Sequence, residues 1–452
     1  MTVDILPEDV LLEIFDLYVD PTQKRGNLEV WCTLAHICRK WRTVVLGSPL
    51  RLNLRIHCHP GRLVREKLDI WPTLPIVVER YYRDWHREWG VVKIAAALEQ
   101  NRRICQIGLS RVPTWQMGGI LAAMHKSFPV LTDLYIQSEG ETTLPTLIDP
   151  DLFLGGSAPC LRSLHLDFIP FPGLPKLLSS ATRLTDLRLY NISHSGYISP
   201  EAMVSCFSAL LRLKTLILEF DRSESFPIIE HRPPPPLIRN LLPALTELQF
   251  YGVSEYLEDL VVRIDTPHLD RLGISLFDEF IPDTTQLIQF IIRTPKLKAH
   301  NEAHVQFRYS SVQLKLGPAF FEGLDIFYEV EDSQVSSAAQ VCTSSLSQAF
   351  SVTVENLYIW GGDIWAEKDH WLELLRPFTS VKSLYLSREI VPRIVPALQD
   401  LIEERVAGVL PALQTLFLED LDLSGPVQEA IGSFVSGRQF SSHPVAVSQW
   451  EK

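Results

Sequence analysis

The chain has 452 residues, of which 42 are basic and 54 acidic, and its formal net charge is −12. Apolar residues make up 46% of the sequence, which is enough to bury a large core. Because phosphate recognition needs clustered Lys and Arg, the acidic balance argues against a broad nucleic-acid or membrane-surface binder. We therefore expect a globular protein whose partners are neither nucleic acids nor membranes.

Seven cysteines are scattered along the chain, and no two of them form a CxxC pair. This pattern favours reduced thiols and a location in the cytoplasm, the nucleus or both. The first residues lack the basic and apolar regions of a secretory signal, and no run of 18 uncharged apolar residues occurs. We therefore expect neither a signal peptide nor a membrane anchor.

The first predicted element is an amphipathic helix in DILPEDVLLEIFDLYVD, from Asp4 to Asp20. Pro7 suits the first helical turn, and Glu8 and Asp9 suit the positive end of the helix dipole. Apolar residues recur at spacings of three and four and form a stripe that is wider than one neighbouring helix usually covers. The stripe contains Val10, Leu11, Leu12, Ile14, Phe15, Leu17 and Tyr18.

A second apolar stripe follows a polar break, in NLEVWCTLAHICRKWRTVV from Asn27 to Val45. Its members are Leu28, Trp31, Leu34, Ile37, Cys38 and Trp41. Two or three short helices over residues 5–46 are too few to form a comfortable core alone. We therefore expect these helices to use part of their apolar surface elsewhere.

These residues resemble the F-box, a short helical motif that begins with Leu-Pro and ends in a signature similar to V-C-x-x-W. The resemblance rests on Leu6 and Pro7, on the Ile14 and Phe15 pair, on Leu28 with Leu34, and above all on ICRKW ending at Trp41. It implies docking onto the Skp-type adaptor of cullin–RING ubiquitin ligases. The adaptor-binding residues that it implies are Leu6, Pro7, Val10, Leu11, Ile14, Phe15, Leu34, Cys38 and Trp41.

The rest of the chain repeats the pattern LxxLxL, as in CLRSLHL from Cys160. Clear copies begin at Val130, Cys160, Arg183, Arg212, Ala244, His268, Ser380 and Ala412, and fainter copies at Ile104 and Val354. The first leucine-like positions of successive copies lie 23 to 32 residues apart, except for one gap of 85 residues from Leu269 to Val354 that would hold three units. Leu297 and GLDIF around Leu324 fall in this gap, so we expect the array to continue through residues 297–350.

Each repeat predicts a short strand followed by a return segment that lets the next strand stack alongside in parallel. Pro precedes many of these strands by one to three residues, which ends the preceding helix. Residues 196–212 and 395–409 are among the predicted return helices. This pattern resembles a leucine-rich-repeat solenoid, an α/β fold with parallel strands and helices.

Together, the two parts resemble the expanded fungal F-box family, in which HPVAVSQWE suits a final capping strand. We predict an F-box helical motif over residues 1–50, a connector over 51–73, and a leucine-rich-repeat-like solenoid over 74–452. The resemblance implies that the repeats bind a protein substrate.

In such a solenoid, the residue between the last two leucines of each copy lies on the concave face. We call these residues the column: Tyr135, His165, Arg188, Ile217, Gln249, Gly273, Tyr358, Tyr385 and Phe417. Aligned aromatic residues are typical of protein interfaces, although the same rings can instead pack on one another. The predicted substrate-binding residues are Tyr135, His165, Arg188, Gln249, Tyr358, Tyr385 and Phe417.

No P-loop, GxGxxG, GxSxG or HExxH motif is present, so we expect no catalytic residue and no cofactor. A zinc site built from Cys32, His36, His57 and His59 lacks a second clear ligand pair and is not expected. The predicted function is a non-catalytic substrate receptor of an SCF-type ubiquitin ligase. The alternative is a leucine-rich-repeat scaffold whose N-terminal helices only cap the solenoid.

Overall fold

The computed structural model describes most of the chain in separate stretches. These are residues 6–18, 33–48, 56–58, 75–80, 90–141, 150–170, 173–222, 238–277, 285–297, 300–308, 311–317, 323–329, 354–362, 368–400, 409–419, 425–440 and 443–450. Leu28, Trp31 and Cys32 of the second predicted stripe, and residues 401–408 of the last predicted helix, lie outside them. Within the described stretches, no helix combines the length and the apolar character that crossing a membrane requires.

Two compact units make up the chain. Unit 1 contains residues 1–187 and 195–197, and unit 2 contains residues 188–194 and 198–452.

Unit 1 begins with two helices, α1 (Glu8–Tyr18) and α2 (Arg39–Gly47), with a helical stretch at 33–37 between them. The Pro7 carbonyl accepts the Leu11 N–H at 3.1 Å, so Pro7 stands at the start of α1 as its fixed φ predicts. Cys38 is the N-cap of α2, and its Sγ accepts the Trp41 N–H at 3.4 Å. The second predicted stripe is therefore divided at Cys38.

Parallel strands and intervening helices form the rest of unit 1. The strands, adjacent in chain order, are β1 (Ile56–Cys58), β2 (Ile76–Arg80), β3 (Ile104–Val112), β4 (Asp133–Ser138) and β5 (Ser163–Asp167). The helices are α3 (Gly90–Leu98), α4 (Thr114–Ala123) and α5 (Leu174–Ser180), with a 3₁₀ segment at Pro150–Gly156. Because β1 lies within residues 51–73, the sheet starts inside the range predicted as a connector.

Unit 2 begins at Arg188, within β6 (Asp186–Ile192), and continues the alternation of strands and helices. Its next parallel strands are β7 (Thr215–Phe220), β9 (Glu247–Gly252) and β11 (Arg271–Leu276). A separate pair is formed by β8 (Asn240–Leu241) and β10 (Ile264–Asp265). The helices are α6 (Pro200–Phe207), α7 (Ser254–Val261) and α8 (Thr285–Arg293). A 3₁₀ turn spans His194–Gly196, with His194 in unit 2 and Gly196 in unit 1.

The stretch that was expected to continue the parallel array is built differently. It contains three strands: β12 (Glu302–Arg308), β13 (Ser311–Leu316) and β14 (Gly323–Glu329). The last of them, β14, pairs in parallel with β11, and β13 lies antiparallel between β14 and β12. Only residues 309–310 separate β12 from β13, and so short a link can join antiparallel neighbours only. The expectation that the array continues through residues 297–350 therefore holds for β14, which contains GLDIF, and for β12, since both run parallel to the array. It fails for β13, which is antiparallel, and for the order, since the three strands are reversed in the sheet.

Beyond this insertion the parallel array resumes, because β12 pairs in parallel with β15 (Asn356–Gly361). The strands β16 (Ser383–Leu386), β17 (Thr415–Leu418) and β18 (Ala446–Gln449) follow in order, and β18 is the strand predicted from HPVAVSQWE. The helices here are α9 (Lys368–Leu375), α10 (Val391–Asp400) and α11 (Pro426–Phe440).

One face of the strands in unit 2 is buried under the helices. The leucines of the repeats alternate with the column residues, and Leu248, Leu272 and Leu384 are fully buried. On the same face, Trp371 of α9 contacts Phe307 of β12, with ring centroids 5.7 Å apart. The column therefore lies on the opposite face, since successive strand residues point to opposite sides. The fold is a mixed α/β, leucine-rich-repeat-like one, as predicted.

Candidate protein-interaction surfaces

An exposed apolar row runs along α1. Val10 is 38%, Ile14 39% and Leu17 89% exposed, and Pro7 is exposed as well. Positions 7, 10, 14 and 17 follow the three- and four-residue spacing of one helix face. We call these four residues the α1 row.

The opposite side of α1 packs inward. Phe15 is fully buried and meets Trp41 of α2 edge-on, with ring centroids 4.8 Å apart. Lys40 Nζ donates a hydrogen bond to the Leu6 carbonyl at 2.6 Å, which holds the start of α1 against α2. Leu11 is also fully buried. These contacts fix which side of the helix is turned outward.

The predicted adaptor-binding residues therefore fall into three groups. Pro7, Val10 and Ile14 are exposed; Leu6, Cys38 and Trp41 are partly exposed; Leu11, Phe15 and Leu34 are buried. The buried three position the exposed side chains and do not themselves lie on the surface. Leu17 and Ile37 are exposed apolar residues that the docking prediction omitted. Leu17 lies three residues after Ile14, and this helical spacing could have identified it as part of the same surface.

In unit 1, two predicted column residues are neighbours. Tyr135 of β4 and His165 of β5 are register partners, and their ring centroids lie 4.4 Å apart. The Tyr135 hydroxyl donates to Gln137 Oε1 at 3.0 Å, and Gln137 Nε2 donates to Asp167 at 2.8 Å. Gly108 of β3 is the register partner of Tyr135 and continues the column.

In unit 2, strand register aligns the predicted column residues in two sets. Ile217, Gln249 and Gly273 are successive partners on β7, β9 and β11, although Ile217 is buried. The second set consists of Tyr358, Tyr385 and Phe417, on β15 to β17. Arg188 lies on β6 and is partly exposed.

Three residues that the sequence analysis did not assign join these sets: Asp325, Lys315 and His304. Asp325 stands between Leu324 and Ile326 in GLDIF, so the repeat pattern carried a signal for it. Lys315 belongs to the antiparallel strand, to which the repeat rule does not apply.

An aromatic ladder occupies the second part of the column. It consists of His304, Tyr358, Tyr385 and Phe417, whose successive ring centroids are 4.5, 4.1 and 4.4 Å apart with interplanar angles of 9°, 14° and 4°. Trp450 meets Tyr385 edge-on at 5.6 Å and donates its Nε1–H to the Leu386 carbonyl at 3.2 Å. The rings thus pack on one another, and the three C-terminal rungs remain partly exposed.

The ladder is uncharged near neutral pH. His304 is only 5% exposed, and burial, aided by the charge of Lys315, lowers the pKa of His304 to about 4. Neither of its ring nitrogens has a hydrogen-bond partner among the described residues. Burial also raises the pKa of Tyr358, and the neighbouring Tyr385 and Glu302 add to this effect. Burial therefore favours the neutral forms of His304 and Tyr358 in the ladder.

A cavity of about 550 Å³ lies at the first set of column residues in unit 2. Gly273 and Ser275 of β11 form its floor, and larger side chains of the two neighbouring strands form its walls. The wall residues are Gln249 and Tyr251 on β9, and Asp325 and Phe327 on β14. We call this cavity the β11 trough.

Polar contacts and charges of both signs surround the β11 trough. Asp325 accepts hydrogen bonds from Gln313 Nε2 at 2.8 and 3.0 Å and lies 3.4 Å from Lys315 Nζ. Arg271 forms an ion pair with Glu247 at 3.1 Å. The described residues contain no group of three or more His, Cys, Asp or Glu side chains suited to a metal ion. Cys32 and His59 lie outside those residues.

Burial raises the pKa of Tyr251 in the wall of the β11 trough. The carboxylates of Glu219 and Asp325 act in the same direction, because negative charge disfavours the phenolate. The positive charge of Arg271 acts in the opposite direction but does not outweigh these effects.

Comparison with protein families shows that residues 3–54 match the F-box-like family. The match contains α1 and α2, so the chain carries an F-box-like domain at its N-terminus. Domains of this kind mediate protein–protein interaction with Skp-type adaptors. The comparison with curated proteins found no match.

Among solved structures, the chain is similar to the leucine-rich repeat-containing protein LegL7 from Legionella pneumophila. The two are 12% identical, the similarity covers 84% of this chain and 97% of that one, and the TM-score is 0.27. The leucine-rich-repeat-like architecture is defined by the parallel strand pairing of the sheet. The F-box-like domain indicates a protein-interaction role.

Proposed function

We propose that this chain is the substrate-recognition subunit of an SCF-type cullin–RING ubiquitin ligase. The F-box-like helices bind the Skp-type adaptor, and the column face of the leucine-rich-repeat-like sheet binds a protein substrate. The observation that carries this proposal is the F-box-like match over residues 3–54, together with the exposed α1 row.

The α1 row has the properties of a preorganised docking surface. Its apolar side chains would gain roughly 25 cal/mol for each Å² that a partner removes from water. The contact between Phe15 and Trp41 and the hydrogen bond from Lys40 to Leu6 fix the row before binding. Because the surface is already ordered, docking costs less conformational entropy.

The proposed contribution of this chain to ubiquitin transfer is proximity and not chemistry. Holding a substrate beside the transfer machinery raises its effective concentration, which requires no catalytic group on the receptor. We place the protein in the cytoplasm, the nucleus or both, in keeping with the scattered positions of its seven cysteines, none of which are in CxxC spacing.

The competing scaffold hypothesis makes the N-terminal helices a cap of the repeats. A cap would use its apolar stripe within the chain, whereas Val10, Ile14 and Leu17 are exposed in the described residues. Adaptor binding separates the two hypotheses, since only the receptor requires it.

The test is co-purification of the full chain with a Skp-type adaptor. We expect the wild type to retain the adaptor and the double variant Ile14→Glu/Leu17→Glu to lose at least about tenfold in retention, because two charges would be buried in an apolar interface. Trp115→Glu is the matched control, since Trp115 is an apolar residue of α4 that is 73% exposed. No retention by the wild type, or equal retention by the double variant, would contradict the proposal.

Substrate capture is tested by proximity labelling from the full chain in cells. Proteins labelled by both the wild type and Ile14→Glu/Leu17→Glu, but more abundant with the variant, are the expected substrates. These substrates should accumulate because the double variant still binds them but does not bring them to the ligase. If no labelled protein changes in abundance, the receptor role fails even when the adaptor binds.

A further inference from the structure

The β11 trough exists because one strand presents small side chains between two strands that present large ones. Gly273 faces Gln249 and Asp325 in register, and Ser275 occupies the next position on the same face. A Cβ added at Gly273 would come no closer than 3.5 Å to another atom, that atom being Gln249 Cγ. The floor therefore has room for a ligand atom where the neighbouring column positions, Gln249 and Asp325, carry side chains.

Two aromatic side chains stand on either side of Ser275. Tyr251 on β9 and Phe327 on β14 are its register partners, and both are partly exposed. The strands β9 and β14 lie on either side of β11, so they are two strand spacings apart, about 9.6 Å. A planar group in van der Waals contact with a ring lies about 3.5 Å from it. This separation admits one planar group between the two walls.

The polar groups of the trough favour a ligand that donates hydrogen bonds. Gln249 donates its Nε2–H to Glu247 at 2.6 Å. The amide oxygen of Gln249 is then the group that can accept a hydrogen bond from a ligand. Asp325 adds a carboxylate, an acceptor-only group when ionised. Both acceptors flank Gly273.

The cationic side chains around the trough are already engaged. Arg271 is held by Glu247 at 3.1 Å, and the Arg222 guanidinium lies 5.7 Å from the centre of the Phe277 ring. An anionic ligand would have to compete with these contacts. A planar cation meets two ring faces, which suits a guanidinium better than the compact ammonium of lysine. It also meets the Asp325 carboxylate, where it takes the place of the partly exposed Lys315 contact at 3.4 Å, while Gln313 keeps its hydrogen bonds to the same carboxylate.

We propose that the β11 trough binds an arginine side chain of the protein substrate, an inference that rests on the proposed receptor function. The guanidinium stacks between Tyr251 and Phe327 and donates hydrogen bonds to Asp325 and to the Gln249 amide oxygen. The substrate class is thus a polypeptide that presents an accessible arginine.

The experiment uses the full chain and ligand-observed saturation-transfer NMR, which detects weak binding. The probe is the blocked tripeptide acetyl-Gly-Arg-Gly-amide. Matched peptides replace arginine by citrulline, which is planar but uncharged, by lysine, or by phosphoserine. We expect transfer to the arginine side chain, with binding of the citrulline and lysine peptides weaker by about fivefold or more.

Variants locate the site. Gly273→Leu fills the floor and should abolish the arginine signal, while Asp325→Asn and Tyr251→Leu should each weaken it about fivefold. Gly108→Leu is the matched control, because Gly108 holds the corresponding position in unit 1 and its added Cβ would lie 3.8 Å from Glu79 Cγ. It should leave the signal unchanged. If Gly273→Leu does not fold, the other two variants decide the test.

Several results would overturn the assignment. These are no arginine signal with the wild type, an equal signal with citrulline, stronger binding of the phosphoserine peptide, or an unchanged signal in the trough variants. Adaptor retention separates this proposal from the receptor function. A wild type that retains the adaptor but shows no arginine signal refutes the trough assignment alone, whereas loss of adaptor binding refutes the receptor.

Discussion

The aromatic ladder and the β11 trough occupy equivalent positions of the column in unit 2 but differ in character. In the ladder, rings stack at 4.5, 4.1 and 4.4 Å and fill the sheet face. In the trough, Gly273 and Ser275 leave a cavity of about 550 Å³. Both stand opposite a buried leucine face, so the repeat pattern determines that face and leaves the column free to serve stability or binding.

This difference has an energetic consequence. Each stacked pair in the ladder contributes about 0.5–1.5 kcal/mol beyond its buried area. The floor of the trough makes no comparable contact. Substitutions in the ladder should therefore lower the free energy of unfolding, and substitutions in the trough should mainly change ligand binding.

The largest effect is expected for Tyr385→Ala in the ladder. The change removes stacking on Tyr358 and Phe417 and the edge contact with Trp450, and should lower the free energy of unfolding by about 3 kcal/mol. Urea denaturation measures this loss, and Tyr251→Ala, a tyrosine of the trough, should cost less than about 1 kcal/mol. Equal losses at the two positions would remove the distinction between ladder and trough.

His304 should make the ladder sensitive to acid. Its pKa is about 4 in the folded chain, against 6.5 for an unperturbed histidine, so between these values the unfolded chain binds more protons. The contribution of neutral His304 to the free energy of unfolding is fully present above pH 6.5 and falls as the pH is lowered towards 4. At pH 5 this contribution is smaller by about 2 kcal/mol. The groups that face this ring are Lys315, Glu302, Tyr358 and Trp360.

The measurement is urea denaturation of the wild type and of His304→Phe at pH 7 and pH 5. Phenylalanine keeps a flat ring but does not titrate, so the variant should lose less stability between the two pH values. If both proteins show the same loss, titration of His304 is not its source.

Trp450→Ala should have a smaller effect. Trp450 covers the edges of Tyr358 and Tyr385 and donates one hydrogen bond, and its removal should cost about 1 kcal/mol. Near-UV circular dichroism should change as well, because the environment of the two tyrosines changes. Trp115→Ala is the control at an exposed tryptophan, and a similar loss there would show that the effect is not specific to the ladder.

The smallest effect on stability is expected for Gly273→Ala. The added Cβ makes an ordinary contact at 3.5 Å, so the free energy of unfolding should change by no more than about 0.5 kcal/mol. Thermal or urea denaturation checks this expectation. A larger loss would mean that the trough, like the ladder, contributes to the stability of the fold.

Much of this arrangement could be predicted from local sequence patterns. The three- and four-residue spacing identified α1, and LxxLxL placed Gln249, Tyr358 and Tyr385 on one face of their strands. The direction of β13 could not be predicted in the same way, because it depends on the two-residue link that follows β12 and on long-range pairing. His304 and Lys315 were missed for this reason, although they connect the two parts of the column.

The sequence by itself determined the periodicities, and with them the buried face of the strands that carry LxxLxL and the existence of an amphipathic N-terminal helix. Side-chain alternation and helical spacing are local properties, so a short stretch of sequence contains them. The tertiary structure alone decided which part of the wide apolar stripe faces inward, with Phe15 against Trp41 and Val10 outward. It also decided that the aromatic rings stack while Gly273 opens a trough. These outcomes depend on which distant strands become neighbours, and that depends on the register and direction of the whole sheet.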